Sequence, residues 1–309
     1  LSGGPRLRQV VTAVLALWLA GCSVARPSAG LEVVASFYPL LEFTSLVGGD
    51  RVAVRQLTPT GTSPHDYEPT PGDVAALKRA RVFVYNGAGL EPWADRLRAE
   101  LGRGALAVEA TRGLPLVKLE EEEEREAGRE PHREQLDPHA WLDPVLAQAM
   151  VDNVAGGLAQ ADPEGADFYR RRARELKDRL ARLHARYAEG LRGCRGQVLV
   201  TSHRAFGYLA RRYRLRLLSV AGLSHEAEPS PRRLKHLLSA ARRAGVRAVY
   251  AETLAGRKAV EGLARELGAR VLVLNPVEGL TEEDRRQGRG YFELMEENLR
   301  ALRDGLGCP

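Results

Sequence analysis

Seven histidines are spread through the 309 residues. Three of them stand where a chain can present a side chain to a ligand. His65 lies in the turn-rich "TSPHDYEPTPGD", His139 in "DPHAWLDP", and His203 directly after the apolar run "VLVTS". A neutral imidazole in such a setting can shuttle a proton or bind a metal through a ring nitrogen. The intervals between the three, 74 and 64 residues, are too long for a local zinc-finger type of clip. They suit a site assembled from distant loops on a rigid frame. Unrelated surface or packing roles fit the spacing as well, so both readings stand at this point.

The frame is legible in the hydrophobic pattern. Apolar runs at 31–36, 52–58, 82–86 and 105–110 predict strands, with helical patterns near 39–48, 72–79 and 91–101 between them. A long loop over 111–138 follows, carrying the charge run "EEEEEREAGRE". Asp143 is a natural N-cap, with Pro144 in the first turn of the next helix. Asp162-Pro163 predicts a further helix without a breaker to about Arg192, roughly 45 Å long at 1.5 Å per residue. Strands are then predicted at 197–202, 215–220, 246–252 and 270–275, with helices near 205–213, 231–244, 256–268 and 289–304. Strands alternating with helices predict an α/β fold with mostly parallel sheets. Two βα lobes joined by one long rigid helix follow, with a ligand in the interlobe cleft at the strands' C-terminal ends. The domain reading is a signal peptide over 1–21, a tether over 22–30, an N-terminal lobe over 31–161, a linking helix over 162–193 and a C-terminal lobe over 194–309.

The N-terminus points to a compartment. Arg6 and Arg8 precede "VVTAVLALWLAG", twelve residues that rise only about 18 Å as a helix and fall short of a bilayer core of about 30 Å. A basic start and a short apolar run make a secretory signal. The run ends in "LAGC", which resembles a bacterial lipobox and implies lipidation of Cys22. The expectation is an extracytoplasmic protein held to a bacterial membrane by lipid rather than spanning it. Cys194 and Cys308 remain, and an exported pair favours a disulfide over two free thiols. The net charge of +6 does not imply nucleic acid. The basic residues sit in stretches such as "RRRARELKDRLARLHARY", interleaved with acids, as on a solvated helix. No nucleic-acid partner is expected, and a monomer is.

"SPHDYEPTPGD", "DPHAWLDP", "TSHRAFGYLARRY", "GLSHEAEPSP" and "LNPVEGLTEED" together resemble the zinc-binding substrate-binding lipoproteins of ABC transporters, the ZnuA-like and AdcA-like cluster A-I family. The resemblance runs in order over nearly the whole chain after the signal. It implies two βα lobes, a linking helix and a metal in the cleft. By motif position, His65, His139 and His203 are the implied imidazole ligands and Glu278 the fourth. It also implies Zn(II) as the transported ligand and an ABC permease in the cytoplasmic membrane as partner. His225 departs from the pattern, which has proline there, and offers a second weak metal contact. The acidic loop holds only His132 where many relatives carry several histidines.

Three neutral imidazoles and one carboxylate suit tetrahedral zinc. Manganese takes more oxygen and higher coordination, so a manganese receptor is the runner-up within this class. Glu252, ending "VRAVYAE", is a candidate to orient a ligand histidine, with a packing role as the alternative. Trp141 is expected to pack beside the site, Tyr67 to close its own loop, and His184 and His236 to face solvent. A secreted zinc hydrolase would use Glu278 as base, but the chain lacks His-Glu-x-x-His, Gly-x-Ser-x-Gly and a phosphate-binding glycine loop. No catalytic residue is assigned. An adhesin, which would not need the ligand set, is the third reading.

Overall fold

In the computed structural model, residues 30–118, 136–223, 231–253 and 257–309 are described. The signal segment, Cys22, the acidic loop with His132, and His225 lie outside them.

The first sheet is built from β1 (Leu31–Ala35), β2 (Val52–Gln56), β3 (Val82–Tyr85) and β4 (Leu106–Glu109), all parallel in the order β2-β1-β3-β4. The helices α1 (Tyr38–Gly48), α2 (Pro71–Arg79) and α3 (Ala94–Arg98) belong to this half. Parallel strands need crossovers and have both faces covered, which is why "VFVY" of β3 is buried at every position. The second half repeats the plan. Strands β5 (Val198–Thr201), β6 (Arg216–Ser219), β7 (Ala248–Ala251) and β8 (Arg270–Val273) run parallel in the order β6-β5-β7-β8. With them go α6 (Gly207–Arg212), α7 (Pro231–Arg243), α8 (Arg257–Leu267), α9 (Glu282–Arg286) and α10 (Tyr291–Leu306).

Two helices lie between the sheets in sequence. Asp143 caps α4 (Pro144–Ala161) by accepting from the Val145 N–H at 2.9 Å. The next helix, α5 (Ala166–Gly190), is about 37 Å long at 1.5 Å per residue. It starts later than Asp162-Pro163 predicts. Asp162 instead caps a 3-10 turn, Pro163–Gly165, and also takes Arg51 at 2.7 Å and the Tyr169 hydroxyl at 2.6 Å. The buried face of α5 is Tyr169, Ala173, Leu176, Leu180, Leu183 and Tyr187, three or four residues apart. That stripe packs on α4 and α1 from the first half and on α10 from the second. One continuous core therefore joins both halves, from Phe37 and Leu40 through Trp141 to Leu199 and Tyr291. Separate clusters line the outer faces, around Phe83 and Leu97 in one half and Val249 and Leu263 in the other. Cys194 and Cys308 are joined by a disulfide that ties the C-terminus to the start of the second half.

Both sheets change winding direction between their central strands, and that switch point opens a crevice at the strands' C-terminal ends. In the second sheet the central pair is β5 and β7, joined at Thr201 and Tyr250. His203 lies two residues past β5, and Glu252 follows β7 directly.

Candidate metal centre

Four side chains meet between the two halves. One ligating atom from each of His65, His139, His203 and Glu278 lies within 4.8 Å of all the others. The His139 Nε2 atom is 3.2 Å from His65 Nε2 and 3.4 Å from His203 Nε2. Glu278 Oε1 lies 3.3 Å from His203 Nε2 and 3.7 Å from the Nε2 atoms of His65 and His139. A tetrahedron with zinc–ligand arms of about 2.0–2.1 Å has edges of about 3.3–3.4 Å. Five of the six donor separations, at 3.2–3.7 Å, lie close to those edges, and the sixth, between His65 and His203, is within 4.8 Å. His139, His203 and Glu278 are fully buried, and the His65 side chain is 8% exposed.

His139 and His203 are each held by a carboxylate that accepts two hydrogen bonds from them. Asp137 uses a single oxygen, Oδ1, to accept from the His139 backbone N–H at 3.0 Å and from Nδ1 at 2.8 Å. Glu252 divides the work: Oε1 accepts from the His203 backbone N–H at 2.9 Å and Oε2 faces Nδ1 at 2.5 Å. A proton held on Nδ1 leaves the Nε2 lone pair pointing at the centre. Burial opposes a charged His203, but the Glu252 carboxylate, with Glu278 across the site, outweighs it and pushes the imidazole up to about 10. Burial likewise opposes charge on His139, and Asp137 and Glu278 raise its basicity. Burial works against an ionised Glu278, yet the imidazoles of His139, His203 and His65 that face it hold its carboxyl well below the usual range. The centre is built for positive charge, so protons and a divalent cation compete for the same lone pairs.

The elements behind the ligands explain their placing. His139 sits at the head of a 3-10 turn, Ala140–Leu142, ahead of the capped α4. Its neighbour Trp141 is fully buried, with its ring centre 5.2 Å from that of His139 and edge-on to Phe37 at 4.8 Å. The Trp141 indole donates to the Pro276 carbonyl at 2.8 Å, and the Trp141 carbonyl accepts from the Tyr291 hydroxyl at 2.5 Å. The His139 turn is thereby fixed to the segment that carries Glu278. That segment is clamped further by Asn298, whose amide accepts from the Asn275 N–H and donates to its carbonyl, each at 2.7 Å. Asn275 in turn accepts from the Val277 N–H at 2.8 Å. Val277 has φ of +55°, a conformation a β-branched residue adopts only under constraint, immediately before the carboxylate. On the other side, Asn86 donates to the Pro138 carbonyl at 3.0 Å, and Tyr208 donates to the Asp137 carbonyl at 2.7 Å.

The structure brings together His65, His139, His203 and Glu278, with Glu252 behind His203. Tyr67 closes its own loop by donating to Asp73 at 2.5 Å. His236 is exposed. His184 departs from the sequence reading: it is half-buried, stacked on Tyr213, with Nδ1 3.1 Å from the tyrosine oxygen. Sequence reasoning missed Asp137, Ser63, Asn275 and Asn298. The "DPH" triplet carried a signal for Asp137, because an Asp two residues before a histidine can reach both its N–H and Nδ1.

The family model of the periplasmic component A of the zinc-uptake complex, ZnuA, matches residues 33–305. The chain belongs to the ZnuA family. It is 39% identical over 279 residues to the high-affinity zinc uptake system protein ZnuA of Bacillus subtilis, covering 89% of this chain and 88% of that protein. It is 36% identical over 302 residues to the zinc-binding lipoprotein AdcA of Streptococcus pneumoniae, covering 96% of this chain but only 60% of AdcA. The crystal structure of the Zn(II)-bound ZnuA-like domain of that AdcA superposes with a TM-score of 0.75 at 35% identity, covering 90% of this chain and 99% of the domain. The laminin-binding protein Lmb of Streptococcus agalactiae, described as both adhesin and metal transporter, superposes with a TM-score of 0.80 at 34% identity, covering 90% of this chain and 99% of Lmb. The ZnuA family comprises binding proteins of zinc uptake, not enzymes.

Proposed function

We propose that this protein is the extracytoplasmic zinc receptor of an ABC metal importer. It binds one Zn(II) through His65, His139, His203 and Glu278 and hands it to a permease in the cytoplasmic membrane. The observation that carries this reading is the donor set: three imidazole nitrogens and one carboxylate oxygen gathered within 4.8 Å of one another, with five of their six separations close to the edges of a zinc tetrahedron. Four protein ligands leave no position for an activated water, which suits capture rather than turnover. Nitrogen-rich ligation favours zinc over manganese. The zinc named in the relatives' descriptions supports the same metal.

We read the lobe over 31–161, the linking segment over 162–193 and the lobe over 194–309 as working as one body, a reading that the shared apolar core supports. In this reading zinc leaves through local movement of the ligand loops on docking, aided by protons, rather than by wide opening of the lobes. A lipid on Cys22, outside the described residues, keeps the receptor at the membrane. Among the described residues no helix is long and apolar enough to cross one.

The test is a titration of the chelator-stripped full chain with zinc and manganese against a calibrated competing indicator. One tightly bound zinc, not displaced by excess manganese, is expected, with binding severely weakened and the fold retained in His139→Ala. Tight manganese with weak zinc would overturn the ligand argument. Binding of neither metal would bring the adhesin reading forward.

A further inference from the structure

The two oxygens of Glu278 are treated differently by the protein. Oε1 is buried, has no hydrogen-bond partner, and points at the three Nε2 atoms. Oε2 accepts from the Ser63 hydroxyl at 3.0 Å, across 215 residues of sequence. The direction of that hydroxyl is fixed from behind. The His65 backbone N–H donates to Ser63 Oγ at 3.3 Å, which occupies a lone pair and leaves the single proton for the carboxylate. Ser63 is itself buried, at 7% exposure. A charge-assisted bond in a dry site is strong and directional.

A carboxylate can bind a metal through one oxygen or both. One oxygen from Glu278 with three imidazoles makes four-coordination, which zinc prefers. Both oxygens would make five-coordination with more oxygen, which moves the site towards manganese. We propose that Ser63 is a specificity-determining residue: by holding Oε2, it keeps Glu278 monodentate and the site selective for zinc over manganese. This rests on the zinc-receptor reading above. Ser63 acts through Glu278 and does not itself touch the metal.

The test compares the wild-type full chain with Ser63→Ala and Ser63→Thr. Each is stripped, titrated with zinc and with manganese, and loaded with cobalt(II) for visible absorption. In Ser63→Ala the zinc-to-manganese affinity ratio is expected to fall at least about tenfold, or about 1.4 kcal/mol. Its cobalt bands should weaken from the intense four-coordinate pattern to a five-coordinate one. Ser63→Thr keeps the hydroxyl and should keep the wild-type ratio and spectrum. If Ser63→Ala is poorly folded, Ser63→Gly, which also lacks the hydroxyl, serves. A merely structural serine would weaken both metals equally and leave the ratio unmoved. An unchanged ratio and a four-coordinate cobalt spectrum in the alanine variant would overturn the proposal while leaving the receptor reading intact. A wild-type chain that does not bind zinc would overturn both.

Discussion

Glu252→Gln and Asp137→Asn look like the same experiment, yet the geometry predicts different outcomes. Glu252 uses separate oxygens for the His203 N–H and for Nδ1. An amide has only one oxygen, so whichever way it turns, its NH2 meets a donor. Leaving a buried donor unpaired costs about 1–3 kcal/mol. If the unpaired donor is Nδ1, the imidazole changes tautomer and places its proton on Nε2, where the metal needs a lone pair. Zinc affinity should fall by about 10- to 100-fold, or about 1.4–2.8 kcal/mol. Asp137 serves both His139 donors with Oδ1 alone. In Asp137→Asn that oxygen can stay where it is, the amide nitrogen takes the Oδ2 position, and only the charge is lost. A loss of about threefold is expected, or about 0.7 kcal/mol. The assay is the competition titration for the two variants at one pH, with thermal melts of the metal-free proteins to verify folding. Equal losses, or a larger loss in Asp137→Asn, would refute the claim that the oxygen count of each clamp sets its importance.

Two further outcomes concern stability. The disulfide closes a loop of 114 residues, and chain entropy gives it up to about 4–5 kcal/mol. The Cys194→Ser, Cys308→Ser double variant should melt at lower temperature. Its zinc affinity should be unchanged, because the bridge sits at the end of the second sheet away from His203. Altered affinity would show that the bridge shapes the site. Burial pushes the Glu91 carboxyl up to about 7, although Ser36, the Asn86 N–H and the Gly87 N–H all donate to it. Between the ordinary value of 4.5 and about 7 the native state holds a proton that the unfolded chain has lost. This contribution is therefore fully present below 4.5, falls as pH rises, and is gone above about 7, a change of about 3 kcal/mol. Denaturant unfolding of wild type and Glu91→Gln over this range should show a difference that depends on pH; a constant difference would contradict the assignment.

The layers of the fold were legible because hydrophobic runs repeat at strand and helix lengths in both halves. What the pattern could not show is local polar commitment. α3 is confined to Ala94–Arg98 rather than 91–101 because Glu91 turns back to hold the Asn86 and Gly87 amides. The hydrophobic pattern predicts no helix at α9, although "TEED" spells the Thr281–Asp284 capping box that starts it. At the site, the histidines stand out by type and by their places: His65 in a turn-rich loop, His139 just before a capped helix and His203 at a strand end. Ser63 did not, because a serine in a turn is unremarkable until a carboxylate 215 residues away is seen beside it.

The central claim is four-coordinate zinc on three imidazoles and one carboxylate. Zinc K-edge X-ray absorption of the loaded full chain tests it most directly. The account predicts four N/O neighbours at about 2.0–2.1 Å, with outer-shell scattering from three imidazole rings. A shell of five or six mainly oxygen neighbours, or scattering from fewer than three rings, would contradict it.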